Sequence, residues 1–286
     1  MASLEKAIQG LRGKIKELRR GDADEGVAVL QRYLAKYGFL TPSAPARMSL
    51  LERTAMSINF ALETPLGQFE VNTEAALRRA QKFYGLPDTG RLDEATVQLL
   101  GMPRYDHHPD VPQFVIAARW DHRDLTYKFL NDSAKVTAPV AREAVRLGFQ
   151  TWQRVSRLTF QEVGPGEPAD CEILWTRGEH GDGTAFDGAS GVLAHAFFPP
   201  PRGSSFPGDI HFDDDEAWSA SAVALPQMDL VTVAAHEIGH AIGLDHSQDR
   251  KALMFPFYGG AMRDAGKPQF ASLDQDDIDG INTLYP

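Results

Sequence analysis

The stretch HEIGHAIGLDH, from His236 to His246, places two histidines four residues apart, then a glycine, then a third histidine. On an α-helix, residues four apart lie one turn above each other on one face, so His236 and His240 present two imidazoles to one point. Gly243 can take a positive φ and turn the chain, which returns His246 to the same point. Three neutral imidazoles suit zinc and leave the fourth tetrahedral position open to water. Glu237 is too close in sequence to the first histidine to be a sensible fourth ligand, yet it is placed to take a proton from that water as a general base. The bland alternative is a buried helix with hydrogen-bonded core histidines. In a chain with nine histidines, this pattern is expected by chance on the order of once in ten thousand chains.

A second run, RGEHGDGTAFDGASGVLAHAFFPPPRGSSFPGDIHFDDDEAW, holds His180, Asp182, His195 and His211. Four such donors can close a tetrahedral zinc site with no open position, which would be structural rather than catalytic. Asp187, Asp213 and Glu216 are interleaved with glycine-bearing turns whose carbonyls can face a cation, an oxygen set suited to calcium. The rival reading of the run is a polar loop without order. Cys171 is the sole cysteine, so no intrachain disulfide forms. Its neighbours Ile173, Leu174 and Trp175 make it a small strand residue rather than a reactive thiol.

These groups need a scaffold, and 286 residues suffice for one large or two ordinary domains. Residues 111–286 hold 25 of the 39 Asp+Glu but only 14 of the 29 Lys+Arg, so the acidity sits beside the histidine clusters and a nucleic-acid partner is excluded. The FDDDE cluster reads as hard-cation ligands and DQDDID as solvated or buried-pair carboxylates. MASLEKAIQGLRGKIKELRR lacks the apolar run of a signal peptide, and no stretch reaches transmembrane length.

Residues 1–20 space Leu4, Ile8, Leu11, Ile15 and Leu18 as an amphipathic helix. A second helix is expected after a cap near Asp22–Asp24, with Val27, Leu30, Leu34 and Tyr37 inward and Gly38 as its stop. A third begins near Thr73 and ends at Gly85, and a Pro87–Gly90 turn leads to a last short helix. The pattern LQRYL…GF…F…NTEAALRRAQKFYGLPDTGRLDEATVQLL resembles the peptidoglycan-binding-like domain of cell-wall enzymes and of matrix-metalloproteinase propeptides. It departs from that pattern over the long stretch from Thr41 to Gln68.

From Val111 the character changes. LTYKFL, LTFQEV and DCEILW read as strands, and VTAPVAREAVRLGFQTWQRV as a long helix with Val140, Ala144, Leu147 and Val155 inward. Strand–helix–strand order implies a crossover and a mixed sheet packed on helices. TRGEHGDGTAFDGASGVLAHAFFPPP, FDDDEAW, VAAHEIGHAIGLDHS and ALMFPFY together resemble the catalytic domain of matrixins, the matrix metalloproteinase family of metzincin zinc endopeptidases. The resemblance implies an α+β class, a metzincin catalytic domain with a mixed twisted sheet, long helices and a zinc cleft, preceded by a small all-α three-helix domain. The expected domains are residues 1–100, the helical domain acting as propeptide; 101–113, a linker or switch segment; and 114–286, the protease.

The resemblance assigns His236, His240 and His246 to catalytic zinc, Glu237 to the base and Met254 to the apolar floor beneath the metal. His180, Asp182, His195 and His211 would hold structural zinc. Asp187, Asp213 and Glu216, with backbone oxygens of Gly188, Ser190 and Val192, would bind calcium, and Asp170 and Asp209 match a second calcium site. Ser190 stands where the family favours glycine. Substrate would lie along Leu193 and Ala194, with Thr232, Pro256 and Tyr258 shaping the pocket after the scissile bond. The implied activity is hydrolysis of internal peptide bonds by a secreted monomer. The alternative is a cell-wall-anchored peptidoglycan-binding protein or wall-peptide hydrolase.

Latency is where the chain departs most from the family. Animal matrixins carry Pro-Arg-Cys-Gly-x-Pro-Asp, whose thiolate fills the open zinc position; here Pro103-Arg104-Tyr105-Asp106-His107-His108-Pro109-Asp110 has no cysteine and one extra residue. Asp106 is the expected substitute ligand, with His107 or His108 as imidazole alternatives and a plain linker as the remaining reading.

Overall fold

The computed structural model describes residues 4–13, 17–40, 64–105, 118–200, 206–221 and 226–286. They fall into two compact units. One runs to Met102; the other gathers the chain from Ala118 onward and takes in Pro103, Arg104 and Tyr105.

The first unit is helical. A short helix α1 (Leu4–Gln9) precedes α2 (Glu25–Lys36), α3 (Val71–Phe83) and α4 (Glu94–Leu100). The helix expected over residues 1–20 is therefore cut short. Gly10 follows its last turn, Gly13 sits at φ 70°, and Leu18 instead bridges Leu92. In α2 the expected cap holds: Asp24 accepts the Gly26 N–H at 2.7 Å, and Val27, Leu30, Leu34 and Tyr37 are buried. The third helix starts at Val71, with Glu70 at its N-cap, rather than at Thr73; the Thr73 side chain turns inward to accept the Gln31 Nε2–H at 3.0 Å. Most of the unusual stretch from Thr41 to Gln68 lies outside the described residues. At its end, Gln31 donates to the Pro65 and Gln68 carbonyls and accepts from Gly67 N–H.

The second unit is a mixed sheet on helices. Strands β1 (Asp124–Phe129), β2 (Thr159–Glu162), β3 (Cys171–Thr176), β4 (Ala194–Ala196) and β5 (Ile210–Asp213) lie in the order β2-β1-β3-β5-β4. All pairs are parallel except β4 with β5. Helix α5 (Ala138–Gln153) makes the β1-to-β2 crossover, as strand–helix–strand order requires. A two-stranded ribbon, β6 (Trp218–Ser219) with β7 (Met228–Asp229), leads into α6 (Leu230–Ala241), and α7 (Gln275–Leu284) closes the chain.

The inward face of α5 follows expectation at Ala144, with Leu147 and Val155 part-buried against the core, but not at Val140. Val140 is 42% exposed; the buried stripe is Ala141, Ala144, Val145, Gly148, Phe149 and Trp152. The small residues in it decide the matter, since they let α5 lie close against α6. A Cβ at Gly148 would stand 2.9 Å from Ile238 Cδ1 and 3.1 Å from the Ala235 nitrogen. Trp152 then donates its indole N–H to the Ala235 carbonyl at 2.7 Å. Helix α6 is buried along all twelve residues, so every polar side chain on it is withdrawn from water.

Candidate active site

Helix α6 is capped by Asp229, which accepts the Thr232 N–H at 3.1 Å, and carries His236, Glu237 and His240 at full burial. His236 Nδ1–H donates to the Leu253 carbonyl at 2.7 Å and His240 Nδ1–H to the Leu244 carbonyl at 2.8 Å. A carbonyl only accepts, so both neutral rings carry bare lone pairs at Nε2. Those two Nε2 atoms face each other at 3.1 Å. Two lone pairs so placed call for a cation between them, and a tetrahedral zinc with Zn–N of about 2.0–2.1 Å would separate its nitrogens by roughly 3.3 Å. His246 completes the group, its donor within 4.8 Å of the others. The chain turns to reach it at Gly243, whose φ is 109° and whose Cβ would strike the Ala118 carbonyl oxygen at 2.2 Å. The donor set fits zinc, with both helical imidazoles oriented by carbonyls behind them.

Met254 lies beneath this group. A Cβ on Gly239, between the two helical histidines, would meet its sulfur. The turn that places it is held by Asp277, whose carboxylate accepts the N–H groups of Leu253 at 2.8 Å, Met254 at 3.1 Å and Asp274 at 2.8 Å. Buried Asp277 was not singled out beyond the acidic run that contains it, because two of its three N–H donors come from a loop distant in sequence.

The second histidine set also converges. Asp182 Oδ2 stands 2.7 Å from His180 Nε2, 2.7 Å from His195 Nε2 and 2.9 Å from His211 Nδ1. Burial, with His195 beside it, pulls the His211 imidazole down to about 4, which keeps it neutral and available as a ligand. No fourth position is left open, as suits a structural zinc.

The carboxylates expected to bind calcium are each anchored by a backbone N–H. Asp187 accepts Val192 N–H at 2.9 Å, Glu216 accepts Ser190 N–H at 2.5 Å and Asp213 accepts Asp215 N–H at 2.9 Å. Burial, with Asp213 and Asp187 close by, raises Glu216 to about 7; burial, with Asp215 and Asp187, raises Asp213 to about 6. Among the described residues Ser190 is the one non-glycine in the left-handed region, at φ 68°, which gives the family's glycine preference at this position its physical reason. Gly188, at φ 78°, lies on the same loop. Among the described residues neither Asp187, Asp213 and Glu216 nor Asp170 and Asp209 form a group of three or more converging metal-ligating side chains. Asp170 accepts the Thr126 N–H and hydroxyl at 2.8 and 2.9 Å, and Asp209 the Glu172 N–H at 3.2 Å. Burial drives the Cys171 thiol strongly upward, consistent with an inert strand cysteine.

The cleft lies between the sheet edge and a wall. Strand β4 ends the sheet order, and just before it Leu193 gives its C=O to Asp213 N–H at 3.0 Å while its own N–H points outward to the Arg104 carbonyl at 2.9 Å. On the opposite side, Pro256 and Tyr258 face the same segment: Tyr105 N–H donates to Pro256 O at 3.1 Å, and Tyr258 N–H to Pro103 O at 2.9 Å. Thr232 is buried, its hydroxyl shared between Asp229 at 2.5 Å and Met262 N–H at 3.0 Å. Asp229 pairs in turn with Arg263. Sequence reasoning missed Asp229 and Arg263 as parts of this site, whereas Arg104 and Tyr105 lie in the segment expected as a linker or switch. Asp106, the expected latency ligand, lies outside the described residues with His107 and His108.

A matrixin profile matches residues 119–286, and a putative peptidoglycan binding domain matches residues 23–100. The chain is 37% identical over 270 residues to matrix metalloproteinase-16 of Homo sapiens, covering 88% of this chain and 40% of that protein. It is 41% identical over 214 residues to the interstitial collagenase of Equus caballus, covering 73% and 42%. With matrix metalloproteinase-18 of Xenopus laevis it shares 41% over 212 residues, 73% and 43% of the two chains. The chain thus spans about two fifths of the length of these curated relatives.

Proposed function

The chain belongs to the matrixin family, and on that premise we propose that it is a zinc-dependent endopeptidase that hydrolyses internal peptide bonds of proteins. One observation supports this above the rest: two imidazoles anchored through Nδ1 turn bare Nε2 lone pairs on each other at 3.1 Å, with Glu237 buried beside them. His236, His240 and His246 would hold the catalytic zinc, with Met254 as its apolar floor. His180, Asp182, His195 and His211 would hold a structural zinc. Asp187, Asp213 and Glu216, with carbonyls of Gly188, Ser190 and Val192, would hold calcium. Asp170 and Asp209, whose oxygens like those of the first trio accept backbone amides, would contribute to a second calcium site.

Bound in the first site, zinc would supply a Lewis acid and lower the pKa of water toward about 7. Glu237 removes one proton from the attacking water as its oxygen bonds to the carbonyl carbon. The same carboxyl then delivers that proton to the amide nitrogen as the C–N bond breaks. Leu193 and Ala194 offer a strand edge on which substrate pairs by β-augmentation, and Thr232, Pro256 and Tyr258 line the pocket for the residue after the scissile bond.

The protein would act as a monomer outside the cell; among the described residues no helix is long and apolar enough to cross a membrane. A second reading, wall-anchored binding or hydrolysis of wall peptides, draws on the match of residues 23–100 to a putative peptidoglycan binding domain. A casein or gelatin digest run beside a pull-down on insoluble peptidoglycan, with zinc content measured on the same sample, separates the two. Digestion that requires zinc, without retention on the glycan, is the expected result. Retention with no cleavage of either protein would overturn the proposal.

A further inference from the structure

The segment Pro103-Arg104-Tyr105 is built into the cleft as a strand. Arg104 bridges Val192 in parallel on one side and Phe257 in antiparallel on the other. Its N–H donates to Gly191 O at 3.1 Å and its C=O accepts Leu193 N–H at 2.9 Å. With the two bonds to Pro256 and Tyr258, four main-chain hydrogen bonds zip three residues between edge and wall. The side chains follow. Arg104 is fully buried, with its guanidinium carbon 5.1 Å from the Phe257 ring centre. The Tyr105 ring is 2% exposed and stacks on His236 with centroids 3.7 Å apart and planes 14° from parallel. It meets Tyr258 edge-on at 5.9 Å.

We propose that Tyr105 occupies the pocket meant for the substrate residue after the scissile bond, so that the chain blocks its own cleft with an aromatic plug, and that the pocket is sized for tyrosine-like side chains in substrates. This rests on the endopeptidase reading for the meaning of the pocket. The occupancy itself stands on contacts alone: one face of the ring lies on an imidazole of the histidine triad, its edge meets Tyr258 of the expected wall, and its backbone nitrogen bonds to Pro256 of that wall. An aromatic ring seated face-on against a buried imidazole, with its backbone fixed on both sides, is the way a peptide side chain anchors in a recognition pocket. The device differs from a thiolate switch in kind, because the blocking group is a side chain in the specificity pocket and not a metal ligand. The carbonyl before the plug, that of Arg104, is bonded to Leu193 and so directed at the sheet edge instead of the His236 and His240 nitrogens. A strand held in that way fills the cleft without offering its own peptide bond to Glu237.

The test uses the full chain in four forms: Glu237→Ala alone, and that variant combined with Tyr105→Ala, with Tyr105→Phe or with Asp106→Ala, each checked for native fold by circular dichroism. The readout is fluorescence anisotropy of a labelled hexapeptide with a central tyrosine, and of its twin with alanine there, so that binding is read without turnover. Removing an anchor of this kind is expected to raise affinity for the tyrosine peptide by about 10- to 30-fold in the Tyr105→Ala form alone. Tyr105→Phe should stay closed, and the alanine peptide should bind at least ~10-fold more weakly than the tyrosine peptide to the opened form. Equal binding to closed and Tyr105→Ala forms would overturn the plug, as would opening by Asp106→Ala but not by Tyr105→Ala. A fifth form, Tyr105→Ala with Glu237 intact, is assayed for cleavage of both peptides; if it cleaves neither while the anisotropy pattern holds, the endopeptidase reading fails and the plug survives.

Discussion

Gly243 offers the sharpest test of how the third histidine is delivered. Its φ of 109° lies outside what an L-side chain adopts readily, and a Cβ there would stand 2.2 Å from the Ala118 carbonyl oxygen and 3.5 Å from Leu284 Cδ1. Gly260 provides the matching control, with φ 122° and nothing within 4 Å of its would-be Cβ. Alanine at either position should carry the backbone penalty of about 1–3 kcal/mol, offset by about 0.4–1 kcal/mol from a stiffer unfolded chain. Only Gly243→Ala must also push a backbone carbonyl aside, an overpacking cost of about 1–3 kcal/mol more. We therefore expect Gly243→Ala to be less stable than Gly260→Ala by about 1–3 kcal/mol in urea melts at matched zinc and calcium. It should also release zinc to a chelator concentration that leaves the control loaded, because the displaced turn carries His246. Equal midpoints and equal zinc retention for the two variants would show that the Ala118 contact does not set the turn.

Glu237→Ala should keep zinc and fold while lowering peptide turnover by at least ~10²-fold, since the base is lost and all three imidazoles stay; retained turnover with metal in place would remove Glu237 from the mechanism. Calcium chelation should lower the melting temperature before catalytic zinc is lost, and the loss should be pH-dependent. The folded carboxyls of Asp213 and Glu216 are raised to about 6 and about 7, so the folded state holds protons there that the unfolded chain has released. Calcium-free protein should then lose stability as pH climbs from about 4 to about 7, and calcium should restore it; a pH-independent melt in chelator would contradict this. Cleavage of a peptide library should return Leu, Met, Phe and Tyr after the scissile bond, and a profile of only small or charged residues would refute the pocket assigned to Thr232, Pro256 and Tyr258.

The histidine triad was legible because its geometry is local: four residues make one helical turn, and Gly243 announces the bend. Asp182 with His180 is likewise near in sequence, while His195 and His211 face each other only through the antiparallel register of β4 on β5; what betrayed them was residue type in a loop too rich in donors to be idle. Val140 was misplaced for the opposite reason. Hydrophobicity alone ranks it above Ala141 and Gly148, yet a close helix crossing selects for smallness, and that depends on α6. Tyr105 lay in the segment expected as a linker or switch, but its residue type did not mark it as the blocking group. An aromatic in a linker looks the same whether it is solvated or seated on an imidazole, and the residues that hold it, Gly191, Leu193 and Pro256, are far along the chain.

Helix α6 ties these strands together. A helix buried on every side usually carries apolar residues throughout, yet this one buries Thr232, His236 and His240 as well as the Glu237 carboxyl, and the first three show how such groups are accommodated. Burial of an unpaired polar group costs about 1–3 kcal/mol or more, so each must be answered by a specific partner. Thr232 is answered by Asp229 and Met262. The histidines are answered at Nδ1 by the carbonyls of Leu253 and Leu244, which come from the turn Asp277 fixes and from the chain just past Gly243. Those two carbonyls dictate the tautomer, the tautomer frees Nε2, and the freed Nε2 atoms create a demand for a cation. The metal site is thus written into the packing around the helix as much as into the motif upon it. Substitutions at Asp277 or Gly243, neither of which would touch the metal, should therefore act on it.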